Sequence, residues 1–187
     1  MLIFLITGFS PSAITGNASA SDGNSNSDFG QLGSLEPFTN QGPNVQGDLL
    51  LGGASDDLID GTDDQDTIMG LEGNDKIKGD RGDDIVYGDE GSDLLFGNAG
   101  DDIVQGGAAD DKLDGGGRND ILIGGEGDDI LSGEDGDDKI YGVGGNDVLK
   151  GGPGADSFNC GEGIDTVLDF TPPQGDIIAT DCELSNP

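Results

Sequence analysis

The sequence predicts an all-β solenoid: a right-handed, parallel coil of short strands with a short cap at each end. Three observations carry that expectation. From Gly52 to Leu168 the chain divides into thirteen consecutive blocks of nine residues without insertion or deletion. Within those blocks position one is glycine in twelve of thirteen, position six is aspartate in all and position eight is apolar in all. Composition supplies the third: 39 Asp and Glu against 7 Lys and Arg give a net charge of −32, and only 32% of residues are hydrophobic. A chain so charged and so poor in apolar residues does not bury an ordinary core and by composition alone belongs with disordered polyanions. Three columns held in register over 117 residues instead mark a repeat architecture.

Each column has a physical role. Glycine at position one, and at position four in nine of thirteen blocks, is expected to supply the positive φ of a tightly curved turn. The three residues after each aspartate, as in Asp84-Ile85-Val86-Tyr87, are β-branched or apolar often enough to form a three-residue strand. Side chains alternate across a strand, so only position eight points inward, and the core is a thin stack of Ile, Val and Leu. Two blocks make one coil. Thirteen blocks therefore give about 6.5 coils, a stack of roughly 31 Å at ~4.8 Å per layer.

The position-six aspartates then line the two edges of the coil. Asp57, Asp75, Asp93, Asp111, Asp129, Asp147 and Asp165 fall on one edge, and Asp66, Asp84, Asp102, Asp120, Asp138 and Asp156 on the other. Carboxylates stacked ~5 Å apart repel unless cations lie between them. Carboxylate and carbonyl oxygens without imidazole or thiolate are hard donors that favour Ca2+, with Mg2+ second because it demands stricter octahedral geometry. Other chemistries are excluded by composition. The negative charge opposes nucleic acid and anionic membrane as partners. The absence of histidine removes the catalytic triad, imidazole zinc ligation and a neutral-pH imidazole base. No segment matches an EF-hand loop or a GxxxxGK[ST] phosphate loop.

The blocks, among them GDRGDDIVY, GNAGDDIVQ and GGEGDDILS, resemble the G-G-x-G-x-D-x-U-x nonapeptide of RTX, or hemolysin-type, calcium-binding proteins over about 63% of the chain. The resemblance implies a parallel β-roll with Ca2+ held between turns of successive coils. One turn gives the carbonyls of positions two and four and the position-six aspartate. The turn two blocks later gives the carbonyls of positions one and three and the residue at position five. Carried over, this pairs Asp57 with Asn74, Asp66 with Asp83, Asp75 with Ser92, Asp84 with Asp101, Asp93 with Asp110, and Asp102 with Asn119. It continues with Asp111 and Asp128, Asp120 and Asp137, Asp129 and Asn146, Asp138 and Ala155, and Asp147 and Ile164. Ser92 is a weak ligand, and Ala155 and Ile164 offer no side-chain oxygen. Residues other than glycine at position four also weaken the slots of Asp57, Asp66, Asp111 and Asp120. The expectation is fewer than eleven ions, strongest in the middle. Eight divalent ions would bring the charge of −32 to about −16.

Outside the repeat, Met1–Phe9 is apolar and Ala18-Ser19-Ala20 is a small-residue cleavage pattern, together reading as a secretory signal over residues 1–20. The alternative is a hydrophobic end left by an incorrectly placed start. The apolar run is too short for a membrane-spanning helix. Residues 21–51 read as a polar linker and N-terminal cap: Phe29, Leu32, Leu35 and Phe38 are candidates to cover the first coil, and Val45–Leu51 to add a strand. Residues 169–187 leave the nine-residue pattern and read as a C-terminal cap built on Phe170, Ile177 and Ile178. Cys160 and Cys182 bracket it and, in an exported protein, are expected to pair; the alternative is two buried thiols. Several outward positions are apolar, notably Ile85, Tyr87, Leu94, Phe96, Ile121, Ile123, Tyr141 and Val148. They are either ordinary β-surface, interleaved with Lys76, Lys78, Lys112, Lys139 and Lys150, or a face that contacts a partner or second copy.

The expected function is an exported, calcium-loaded β-roll without enzymatic activity, structural or adhesive at or outside the cell surface. The segments flanking the repeat are too short for a catalytic domain. The alternatives are a filament or matrix subunit assembling under calcium and a soluble calcium buffer or calcium-triggered folding module.

Overall fold

Asp48 and Leu50 occupy positions six and eight of a block that begins nine residues before Gly52, and the first strand forms there. The computed structural model describes residues 47–184. Its strands are β1 (Leu49–Leu51), β2 (Leu58–Asp60), β3 (Thr67–Glu72), β4 (Lys76–Arg81), β5 (Ile85–Glu90), β6 (Leu94–Ala99), β7 (Ile103–Ala108) and β8 (Lys112–Gly117). They continue as β9 (Ile121–Glu126), β10 (Ile130–Asp135), β11 (Lys139–Gly144), β12 (Val148–Lys150), β13 (Ser157–Glu162), β14 (Thr166–Val167), β15 (Ile177–Ile178) and β16 (Glu183–Leu184). The odd strands form one eight-stranded sheet and the even strands another. All pairings are parallel, and in the repeat each residue pairs with the one eighteen positions on, as Thr67 with Ile85 and Ile85 with Ile103. Eighteen is two blocks, so successive blocks alternate between the sheets and the chain forms the parallel β-roll that the sequence predicts.

Two local expectations change. Most strands run six residues, from position seven through position three of the next block, rather than three. Position one sits inside the strand: Gly70, Gly79, Gly88 and Gly97 are buried there. The second change concerns positive φ. It occurs at positions two and four, at Leu71 (83°), Asp80 (73°), Asp89 (75°), Asn98 (73°), Glu134 (67°) and Val143 (88°) among position-two residues. Position one needs glycine for space instead. A Cβ on Gly88 would overlap Asp93 Oδ2 and lie 2.7 Å from the Gly106 carbonyl oxygen.

The core is two facing columns of position-eight residues. Ile68, Ile77, Val86, Leu95, Val104, Leu122, Leu131, Ile140 and Leu149 are all fully buried, each stabilising by roughly 1.5–3 kcal/mol. This column is shallow, so the turns at the edges must hold a large share of the structure.

Past Leu168 the sheets go on: after a 3-10 turn at Pro172–Gln174, β15 joins β13 and β16 joins β14. The register widens to twenty residues at β15, Ser157 pairing with Ile177, and narrows to seventeen at β16, Thr166 pairing with Glu183, which is why a strict nine-residue count loses this coil. Cys160, fully buried, is disulfide-bonded to Cys182 with a Cα–Cα distance of 5.2 Å, tying the last coil to β13. Among the described residues no helix is long and apolar enough to cross a membrane. The signal at residues 1–20, the polar linker over Ser21–Asn44 and the cap residues Phe29, Leu32, Leu35 and Phe38 lie outside the described residues.

A candidate metal centre at the turns

Each position-six aspartate ends a turn and begins a strand, and its side chain folds back under the coil. Oδ1 accepts the backbone N–H of the position-six residue one coil earlier: Asp84 N to Asp102 Oδ1 at 2.8 Å, Asp102 N to Asp120 at 2.8 Å, and Asp138 N to Asp156 at 2.9 Å. The amides that face these oxygens sit at the strand entry, so the ladder closes donors that the sheet leaves open. These carboxylates are 1–3% exposed from Asp66 to Asp156.

The second oxygen is the notable one. Oδ2 of Asp75, Asp84, Asp93, Asp102, Asp111, Asp120, Asp129, Asp138, Asp147 and Asp156 is buried and accepts no hydrogen bond. A buried carboxylate oxygen without a partner is costly, and charge makes it more so. Burial pushes the carboxyl of Asp120 up to about 8, those of Asp84 and Asp111 to about 7, and those of Asp102, Asp129 and Asp138 to about 6. The backbone hydrogen bond to each opposes the rise, and neighbouring carboxylates reinforce it.

The position-one backbone oxygen turns toward the same gap. A Cβ on Gly97 would lie 2.5 Å from Asp102 Oδ2 and 2.6 Å from the Gly115 carbonyl, so the carboxylate and the position-one carbonyl of the next coil close on one point. The position-three carbonyl also points back one coil, as Glu90 O accepting from Gly73 N at 3.0 Å. Position-two carbonyls point forward, as Gly53 O accepting from Glu72 N at 3.0 Å. The resemblance implies ion contacts from carbonyls of positions one to four; those of positions two and three here accept hydrogen bonds between coils. Among the described residues, no three Asp, Glu, Cys or His side chains converge as a metal cluster. Backbone carbonyls are the remaining donors here, and with a carboxylate they make an all-oxygen set suited to Ca2+. The orphaned oxygens and the glycine-lined cradle fit that ion.

Position five forms a second ladder running the other way. Oδ1 of Asp83 accepts from Asp101 N, Asp101 from Asn119 N, Asp110 from Asp128 N, Asn119 from Asp137 N, and Asp128 from Asn146 N. Asn74 accepts from Ser92 N, Asp137 from Ala155 N and Asn146 from Ile164 N. Both ladders join residues eighteen apart in one column, whereas the expected slots join position six to position five seventeen residues on. Non-glycine residues at position four leave the pattern intact at two slots. Ala109 (φ 77°) and Arg118 (φ 85°) take the left-handed turn, and Asp111 and Asp120 resemble their neighbours.

Sequence reasoning missed Asp176. Its Oδ1 accepts Asp156 N at 3.1 Å, so it takes the position-six role in the coil after the repeat. The signal was Asp176-Ile177-Ile178, which repeats the aspartate-strand pattern after a two-residue insertion.

A family model of the RTX calcium-binding nonapeptide repeat matches residues 46–77, 60–95, 87–120, 114–149 and 132–167. No curated protein matches the chain.

Proposed function

The chain belongs to the RTX calcium-binding nonapeptide repeat family, and from that premise we propose an exported β-roll that folds on calcium and serves a structural or adhesive role at or outside the cell surface. It is a calcium-binding solenoid; its calcium seats are the gaps between successive turns. The observation that carries this reading is the column of ten buried carboxylates, Asp75 to Asp156, each with one oxygen unpartnered. In the metal-free chain those oxygens oppose folding. Bound calcium supplies the positive charge that satisfies them. The position-six carboxylate gives Oδ2 to the ion while Oδ1 keeps the adjacent coil in register, and carbonyls of positions one to four complete the oxygen set.

Export is supported by the Cys160–Cys182 disulfide, which persists in oxidising compartments, and by extracellular calcium being abundant. No residue is assigned a catalytic role. Fractionation of cells producing the full chain tests the location: the protein is expected in the medium or on the surface, and retention in the cytoplasm contradicts it.

A second reading, assembly with copies of itself or a matrix, is favoured by the asymmetry of the two sheet faces. From β1 to β9 positions seven and nine of the odd sheet are Leu49, Leu51, Thr67, Met69, Ile85, Tyr87, Ile103, Gln105, Ile121 and Ile123, without charge. Glu72, Glu90 and Glu126 are exposed at the ends of those strands, and Lys139 is exposed on β11. The even sheet carries Asp60, Lys76, Lys78, Lys112, Asp114 and Lys150, and Lys76 stands 5.8 Å over the Phe96 ring. Light scattering with calcium and with EGTA separates the readings: calcium-dependent polymers that Ile85→Lys abolishes favour assembly. A monomer in both states favours a soluble buffer or folding module.

A further inference from the structure

Three position-six aspartates differ from the rest. Asp57 Oδ2 accepts the Gly53 N–H at 2.6 Å. Asp66 Oδ2 accepts the Thr62 N–H at 2.7 Å and the Thr62 hydroxyl at 2.9 Å. Asp176 Oδ2 accepts the Thr171 N–H at 2.6 Å and the Thr171 hydroxyl at 3.0 Å. In these turns the protein itself fills the oxygen that is orphaned from Asp75 to Asp156.

The backbone follows the same division. Gly53 and Thr62 stand at position two, and neither has positive φ. From Leu71 through Gly152 every position-two residue is left-handed, whether glycine or not. Where position two is left-handed, the position-six Oδ2 has no partner. At Gly53 and Thr62, where it is not, the position-two amide donates to that oxygen, and before Asp176 the donor is Thr171, five residues back and ahead of Pro172. One sequence repeat thus adopts two turn conformations, one leaving a carboxylate oxygen open and one closing it.

We propose that the calcium array stops short of both ends of the roll: the turns of Asp57, Asp66 and Asp176 hold no ion. An N–H directed at a carboxylate oxygen presents positive charge where the ion's charge would have to go, and a cation there must displace one or two donors. The interior turns offer the oxygen with nothing to displace. Asp57 and Asp66 therefore drop out of the expected ligands, and the roll is finished at its ends by hydrogen bonds, joined at the C-terminal end by the Cys160–Cys182 bond. This inference rests on the calcium reading of the interior turns.

Native mass spectrometry of the full chain in saturating calcium tests it, comparing wild type with Asp57→Asn, Asp66→Asn and Asp102→Asn after each is shown to be folded. Asp57→Asn and Asp66→Asn are expected to keep the wild-type ion count, while Asp102→Asn loses at least one ion. Loss of an ion from either terminal variant overturns the proposal. If those variants fail to fold, calcium anomalous scattering from wild-type crystals decides. Density in the interior gaps and none at Asp57, Asp66 or Asp176 supports the proposal, and a calcium peak at any of the three overturns it. A wild-type chain that binds no calcium overturns both this inference and the reading beneath it, and the wild-type count identifies that outcome separately.

Discussion

The amide of Asp102 donates to Oδ1 of Asp120 at 2.8 Å across the boundary between two coils, while Oδ2 of the same carboxylate is buried with no partner. One oxygen holds the coils in register and the other requires something the chain does not supply. Repeated along both edges, that division of labour links the sequence repeat to the need for metal.

It first predicts a pH dependence for the metal-free chain. Asp120, Asp84 and Asp111 titrate at about 8, 7 and 7 in the fold, each above a reference of 3.8, chiefly through burial. Protonation therefore favours the fold: this stabilisation is complete below about 3.8 and is lost as pH rises through about 7 to about 8. In EGTA, β-sheet circular dichroism should grow as pH falls from 8 to 4. Calcium binding near pH 7 should also release protons, seen as a buffer-dependent heat in calorimetry. A metal-free chain equally unfolded at both pH values would contradict it.

Gly88→Ala should damage two things at once. Its Cβ would overlap Asp93 Oδ2 and lie 2.7 Å from the Gly106 carbonyl oxygen. A cost of about 3 kcal/mol is expected from overpacking against backbone, with weaker calcium binding. Thermal unfolding in saturating calcium, with a calcium titration, checks both.

The inward column at position eight and the aspartate edge were legible because each repeats without exception, and a fixed period converts directly into parallel stacking. The Asp48–Leu50 block was half legible, as a strand without its register. Asp176 was hidden by an insertion that breaks the count. The turn was misassigned because glycine frequency does not separate two causes: position one is glycine for lack of space beside a carboxylate, whereas left-handed φ falls at position two, where Leu71, Glu134 and Val143 stand. The opposite directions of the two ladders also escaped the sequence, since residue type does not say toward which coil a carboxylate folds.

Val143 offers a test of that correction. It is β-branched, 45% exposed and held at φ 88°. A left-handed non-glycine residue costs ~1–2 kcal/mol, against ~0.5–1 kcal/mol of added chain entropy for glycine. Val143→Gly should therefore stabilise the calcium-loaded roll by about 0.5–1 kcal/mol. A lowered unfolding midpoint would count against left-handed strain at position two.

Removing the disulfide should loosen the C-terminal coil. Cys160 and Cys182 are separated by 22 residues, and a loop of that size contributes about 3 kcal/mol. Cys160→Ala with Cys182→Ala is expected to lower the thermal midpoint and raise amide exchange in β15 and β16 first. Uniform exchange across the roll would show that the bond is not local in its effect.

The central claim is that the fold depends on metal at its edges. Far-ultraviolet circular dichroism of the full chain at pH 7.5, in EGTA and then with calcium added, tests it most directly. The expected result is a coil-like spectrum that converts to β-sheet as calcium is added. A full β-sheet spectrum in EGTA, with an unfolding midpoint that calcium does not raise, would contradict it.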